Sequence, residues 1–448
     1  MIIPKSILKT SWLDSTLQFK IILFTVIIII TTSLLCYTEI FAIDGIDGIL
    51  NDDDNNNSKT HASDFVFFNV TNITNNTKDS VYAQIVANNN YVYIVWQESV
   101  TENSYGNNYD IYFKKSVDNG TTFSKPINLS NNTGFSEHPQ IAVSKNGIIF
   151  IIWADNTDSN NTEIMFTKSD DNGTTFSKPI NISNNSQNSN NQEISAFNEN
   201  VYIVWQDIDL NNNKNSSIMF KSSIDSGNTF NDTIELATNT IEAYPKVNSY
   251  EDYVYIVWNS ENNNLSEYNK NNGLFFIKSN DRGNTFENSI KIAHYSFGES
   301  QIAVNENEVF IVWGGLHEKN INDIYVVQSD DNGSSFTDPY TIQENITKHE
   351  TKIQSNKINH PTNVEITNND PEYIVWQDKI SKENQDIFIT NIKNNFQSTK
   401  ILNLSNNTGI SECPQIAVSK NYIYVLWEDI TPGNHEIFFT KGQSINNK

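Results

Sequence analysis

Beyond residue 64 the chain is written in short apolar runs of four to seven residues, separated by clusters of Asn, Ser, Asp and Gly. Val, Ile, Phe and Tyr dominate the runs, a composition that favours strands over helices. No segment there keeps a helical period of apolar positions. One run recurs along the chain: VYIVWQ at 92–97, IFIIWA at 149–154, VYIVWQ at 201–206, VYIVWN at 254–259, VFIVWG at 309–314, YIVWQ at 373–377 and IYVLWE at 423–428. Its tryptophans, Trp96, Trp153, Trp205, Trp258, Trp313, Trp376 and Trp427, lie 51–63 residues apart. Each unit reads as four strands. In the second, QIAVS at 140–144 leads through Asn146-Gly147 to IIFIIWA at 148–154, then EIMFTKS at 163–169 and INIS at 180–183. Four antiparallel strands repeated at this period predict the blade of a β-propeller, with strands A to D running outward from the axis.

The two ends of the chain predict how the ring closes. The seventh unit supplies QIAVS at 415–419, IYVLW and EIFFTK at 436–441, and its fourth strand is missing. At the other end, FVFFNVTNITNNT at 65–77 is written like INLSNNT at 127–133, the end of a unit. The N-terminal strand is therefore expected to complete the last blade and remove its open edge. The fold class predicted is all-β: a seven-bladed propeller of four-stranded antiparallel blades over residues 65–448.

A second word marks the turn after strand C. It reads SVDNGTTF at 116–123, SDDNGTTF at 169–176, SIDSGNTF at 223–230, SNDRGNTF at 279–286 and SDDNGSSF at 329–336. The sixth unit keeps only TNIKNNF at 390–396. The carboxylates of Asp118, Asp171, Asp225, Asp281 and Asp331 suit the backbone N–H groups of a tight turn. Gly120, Gly173, Gly227, Gly283 and Gly333 permit a positive φ there. The closing Phe folds back on the blade in this reading, so the turn staples strand C to strand D. The pattern resembles the Asp-box, or BNR repeat, of the sialidase-like propeller superfamily, over about residues 65–448.

That resemblance implies a propeller with its boxes on the face opposite the substrate pocket. Sialidases of the superfamily use three arginines, the first in an Arg-Ile-Pro motif, with a Tyr–Glu nucleophile pair and an Asp acid. This chain has one arginine, Arg282, inside a box turn, and no Arg-Ile-Pro. Lysine lacks the planar fork that grips a carboxylate. The resemblance therefore extends to the fold and not to sialidase chemistry. Another glycoside hydrolase would need a carboxylate pair about 5–9 Å apart.

Charge and targeting narrow the function classes. A net charge of −24 excludes nucleic acid as partner. Lys5, Lys9 and Lys20 precede an apolar run at 21–36, with acids after it. The run reads as a signal peptide or an uncleaved anchor within residues 1–42, followed by an acidic, Asn-rich linker at 43–64. Either reading places the body outside the cytoplasm, with membrane contact only through that segment. Of the two cysteines, Cys36 lies in the apolar run, which leaves Cys413 as a lone thiol. Sequons are dense, at Asn69, Asn72, Asn75, Asn128, Asn131, Asn181, Asn184, Asn403 and Asn406, and mark glycosylation in a host that modifies exported proteins.

Acids collect where the B–C and D–A loops form the funnel mouth. Glu98, Asp155, Asp207, Asp378, Glu428 and Asp429 follow the tryptophans; Asp110, Glu163, Asp323, Asp386 and Glu436 precede strand C; Glu137, Glu193, Glu299 and Glu412 precede strand A. An acid repeated blade after blade reads first as scaffold, and a ligand site is expected where the repeat breaks. Blades 5 and 6 break it, with Gly314-Gly315 after Trp313, the long connection at 345–364, and His294, His317, His349 and His360 in the same sector. The candidate ligand residues are Gly314, Gly315, His317, Asp323, His360 and Asp378, with Asp155 and Asp207 on the far side. The histidine spacing matches no metal-ligand motif, and no catalytic residue, metal or cofactor is assigned. The function expected is an exported binding or interaction module, for glycans or an envelope protein. The alternatives are a glycoside hydrolase without the arginine triad and an envelope assembly scaffold.

Overall fold

The computed structural model describes residues 61–62, 65–101, 108–157, 161–209, 216–240, 243–260, 273–294, 299–316, 322–342, 362–367, 373–381, 383–392 and 401–444. The described strands form seven antiparallel sheets. Blade 1 comprises strands A to D at Ser80–Asn88, Tyr91–Ser99, Tyr109–Ser116 and Ile127–Asn128. Blades 2 to 6 repeat the order, with strands B at Ile149–Asp155, Asn200–Ile208, Tyr253–Ser260, Glu308–Leu316 and Tyr373–Lys379. Blade 7 has strands A to C at Ser411–Ser419, Tyr422–Asp429 and Glu436–Ser444, and the N-terminal Phe65–Phe67 and Thr71–Asn72 pair with its strand C. The ring thus closes as the chain ends predict. A two-residue strand, His61–Ala62, adds to Phe65–Phe67 inside the segment read as linker. The rest of that linker and the targeting segment lie outside the described residues.

Each strand A packs on strand A of the next blade, and the series runs from blade 7 back to blade 1, so these strands surround the axis. Strand B is the core of every blade: Val92–Val95, Ile149–Ile152, Val201–Val204 and Val254–Val257 are wholly buried at every residue. A strand buried on both faces reads as a continuous apolar run, which explains why VYIVW does not alternate. The buried apolar side chains fall into seven clusters, one at each interface between neighbouring blades. Phe65 and Phe67 enter the cluster between blades 6 and 7, and Ile73 enters the one between blades 7 and 1.

The turns after strand C have one repeated geometry. Asp225 Oδ1 accepts the Thr229 N–H at 2.9 Å, Thr229 Oγ1 donates to Oδ2 at 2.7 Å, and Ser223 Oγ donates to Oδ1 at 2.8 Å. The Thr229 hydroxyl, the Thr229 N–H and the Ser223 hydroxyl together pull the Asp225 carboxyl down to about 2. Asp118, Asp171, Asp281 and Asp331 make the same bonds.

What the turn holds differs from the expectation. Its Phe packs on strand C of the preceding blade, not on its own: Phe176 lies 4.9 Å edge-on from Phe113, and Phe230 lies 5.1 Å from Phe166. The glycine abuts that same ring. A Cβ on Gly173, at φ +72°, would lie 2.6 Å from Phe113 Cζ. Lys115 Nζ, also on the preceding blade, donates to Asn172 O at 2.8 Å and Thr174 Oγ1 at 2.9 Å. The turn is therefore a staple between blades.

Candidate functional site at the axial mouth

The acids after the tryptophans are held in a repeated network. Asp155 Oδ2 accepts Trp153 Nε1 at 3.0 Å, Ser136 Oγ at 2.8 Å and Asn132 Nδ2 at 2.7 Å, while Oδ1 accepts the Thr157 N–H at 2.8 Å. Asp207 accepts Trp205 Nε1 at 2.8 Å, Ser189 Oγ at 2.6 Å and Asn185 Nδ2 at 2.9 Å. Glu98 and Asp429 repeat the set with Trp96, Ser80 and Asn76, and with Trp427, Ser411 and Asn407. Burial raises the Asp207 carboxyl and its three donors oppose the rise.

The acids before strand C close the other half of each junction. Asp110 accepts Asn128 Nδ2 at 2.8 Å and Ser130 Oγ at 3.0 Å, and Asp386 accepts Asn403 Nδ2 at 2.6 Å and Ser405 Oγ at 2.9 Å. The D–A connections therefore rivet one blade to the next. The sequon asparagines Asn128 and Asn403 have their amide nitrogens committed to it.

Three blades depart from the network at the position two after the tryptophan. Blade 4 has Ser260 and blade 5 has Gly315, so neither carries an acid there. In blade 6 Asp378 is buried, and Trp376 Nε1 meets no acceptor among the described residues. Gly314 is buried in strand B, and Gly315 pairs with Asp323 across strands B and C. His317 and His360 lie outside the described residues, as does His349. The exposed His294 is the described histidine of that sector.

Nearer the axis, Gln84, Gln140, Glu193, Lys246, Gln301, Glu365 and Gln415 each pair with the residue just before a tryptophan. They meet across blades. Lys246 Nζ lies 3.1 Å from Glu193 and 3.2 Å from Glu299, while Glu365 Oε1 accepts Gln301 Nε2 at 2.7 Å and Gln415 Nε2 at 3.0 Å. Burial opposes charge on Lys246, yet Glu299, Glu193 and Glu365 hold its pKa above the lysine range. Burial carries Glu365 up to about 8 against the pull of Lys246.

Just outside this layer strand A bulges in five blades. Tyr82, His138, Asn191, Asn363 and Cys413 have φ between 48° and 53°, each inside a register shift. A bulge re-aims side chains and favours functional rims. In three of these bulges, at Tyr82, His138 and Cys413, the N–H is received by the residue directly after the tryptophan of the preceding blade. His138 N donates to Gln97 Oε1 at 2.7 Å, Cys413 N to Gln377 Oε1 at 2.6 Å and Tyr82 N to Glu428 Oε1 at 2.7 Å.

Blade 7 is the exception that comparison of sequence blocks could have revealed. Its strand B ends WED, where blades 1, 3 and 6 read WQE or WQD. Glu428 stands where they have Gln, and it pairs with Glu412 across strands A and B. His435, from the B–C loop, lies 4.0 Å from Glu412 Oε1 and 3.9 Å from Glu428 Oε2. Relative exposures are 5% for Glu412, 4% for Glu428 and 8% for His435. Burial pushes Glu412 up to about 7; burial and then the Glu412 charge push Glu428 well above the carboxylate range; burial lowers His435.

Arg282 sits far from this mouth in sequence and in role. It belongs to the C–D turn of blade 4, and its Nε donates to Asp252 Oδ1 of the A–B turn at 2.6 Å. Both line a cavity of about 450 Å³ with Lys145, Phe197 and Tyr250.

No family model matches the sequence, and no curated protein matches it. Some solved structures resemble the chain at low identity. A sialidase of Trypanosoma rangeli in complex with the inhibitor DANA is 12% identical, with a TM-score of 0.47, over 83% of this chain and 55% of that one. A Hadza microbial sialidase, Hz136, is 14% identical at a TM-score of 0.48, over 82% and 66%. A protein of unknown function from Dyadobacter fermentans is 13% identical at a TM-score of 0.46, over 84% and 99%. The chain thus spans little more than half the length of the Trypanosoma rangeli enzyme.

Proposed function

We propose that the protein is an exported, non-catalytic propeller of the Asp-box kind, a binding module whose ligand is a glycan and whose ligand sector is the rim of blades 4 to 6. The observation that carries this reading is the fate of the rim carboxylates. Glu98, Asp155, Asp207 and Asp429 are buried acceptors of a tryptophan, a serine and an asparagine, which supports a scaffold role for them. A general acid or nucleophile must instead reach the substrate and exchange its proton. The single arginine is engaged with Asp252, which supports the absence of a carboxylate clamp. Ser260 and Gly315 leave the rim without a scaffold acid in blades 4 and 5, and a unique ligand calls for such a break on a rigid frame.

The experiment is a glycan-array screen of the purified propeller, run beside a panel of glycosidase substrates that includes a fluorogenic sialoside. Binding without turnover is expected. His317→Ala combined with His360→Ala tests the sector: a fall in affinity supports it. Unchanged affinity, with loss on Asp155→Asn or Asp207→Asn in a folded protein, moves the ligand to the far side.

A further inference from the structure

We propose that Glu412, Glu428 and His435 form a binding site for a divalent transition-metal ion, of zinc-like nitrogen and oxygen preference, at the junction of blades 7 and 1. The site goes beyond the glycan-binding reading and stands apart from the blade 4 to 6 sector.

In blades 1, 6 and 7 the residue after the tryptophan accepts the N–H of the next blade's bulge. Gln97 and Gln377 do so with an amide oxygen at 2.7 and 2.6 Å. Glu428 does so with Oε1, which leaves Oε2 facing His435. The opposing position adds a second carboxylate, Glu412, directly across the antiparallel pair. Like charges so placed repel, and removing both from water is costly without a counter-charge. Among the described residues, the other titratable groups at the site are Asp79, whose Oδ1 accepts the backbone N–H of His435 at 3.0 Å, and the Cys413 thiol, which hydrogen-bonds Glu428, and neither carries positive charge.

The His435 Nδ1 distances of 4.0 and 3.9 Å to the two carboxylates are too long for hydrogen bonds. Ligands about 2.0–2.2 Å from a tetrahedral zinc ion stand about 3.3–3.6 Å apart, so a closure of roughly half an ångström brings the His435 nitrogen and the two carboxylates onto one ion. One oxygen from each Glu and a ring nitrogen of His435 all lie within 4.8 Å of one another. The ligands are also oriented from behind, Glu428 by the Tyr82 N–H and the His435 backbone by Asp79. An imidazole in the set favours zinc over calcium, which prefers an all-oxygen shell.

The test is calorimetric titration of chelator-stripped full-length protein with Zn²⁺, Mn²⁺ and Ca²⁺, beside metal analysis of dialysed protein. One equivalent of Zn²⁺ is expected, bound more tightly than Ca²⁺. His435→Ala and Glu428→Gln should each weaken Zn²⁺ by at least about 100-fold, since even outer-shell changes cost about 10–100-fold. Glu428→Gln restores the residue that blades 1, 3 and 6 carry, so it should keep the wild-type circular dichroism spectrum and melting curve. His294→Ala, at an exposed surface histidine, should bind as wild type. Three results would overturn the site: no Zn²⁺ uptake by the wild type, wild-type affinity in Glu428→Gln, or loss of binding in His294→Ala.

Discussion

Alanine at Gly173 isolates the staple between blades. Two costs follow from the structure. The backbone sits at φ +72°, where a Cβ costs about 1–2 kcal/mol. The added carbon would meet Phe113 Cζ at 2.6 Å and Cε1 at 2.8 Å, and Phe113 is fully buried, so it has nowhere to retreat. Overpacking of that kind costs about 1–3 kcal/mol. The expected destabilisation is their sum, about 2–5 kcal/mol, a large part of the roughly 5–15 kcal/mol of a typical domain. Gly433 separates the terms. It has φ +109° with nothing within 4 Å of the position a Cβ would take, so Gly433→Ala carries strain alone. Urea unfolding, read by tryptophan fluorescence, should place the midpoint of Gly173→Ala well below that of Gly433→Ala. Adding Phe113→Leu should relieve the clash, making the double variant more stable than additivity predicts by about 1–2 kcal/mol. Equal midpoints for the two glycine variants, or strict additivity with Phe113→Leu, would refute the staple.

Deleting residues 65–77 strips the N-terminal strands from strand C of blade 7 and removes Phe65, Phe67 and Ile73 from two interface clusters; aggregation or a large fall in melting temperature is expected by light scattering and calorimetry. Asp155→Ala leaves the buried Trp153 Nε1 and Ser136 Oγ without their acceptor, at a cost of about 2–4 kcal/mol in chemical denaturation. Glu365, held near 8 when folded, binds its proton more tightly in the folded chain than in the unfolded one. The stability this contributes is full below the unfolded value and is lost as pH rises toward 8, so Glu365→Gln should flatten the fall in stability between about pH 5 and 8.

The repeat made the ring legible. A tryptophan in every strand B and a half-blade at each end are local facts, and closure follows from them. The turn was legible as a turn, because Asp, Gly and Phe each have a local task. Its reach was not, since whether Phe176 lies on its own blade or on Phe113 depends on how blades stack. The rim acids show the same divide. Their repetition marked them as scaffold, but their partners, such as Asn132 and Ser136 for Asp155, come from a connection whose path only the folded ring fixes. That same connection explains much of the sequon density, because Asn128 and Ser130 together hold Asp110. The histidines drew attention to blades 5 and 6, while His435 joined two glutamates in blade 7. The sequence signal was a single letter, Glu428 where blades 1, 3 and 6 have Gln, and it shows only when the blades are compared position by position.

The most direct test of the central claim, a ring whose rim carboxylates serve the scaffold and whose function is binding, is one purified sample assayed for glycan binding and for hydrolysis of the same glycans. The account predicts saturable binding to an array ligand and no turnover of any panel substrate, the sialoside included. Turnover that disappears on replacing Asp155, Asp207 or Asp378 by Asn, in protein that remains folded, would contradict it.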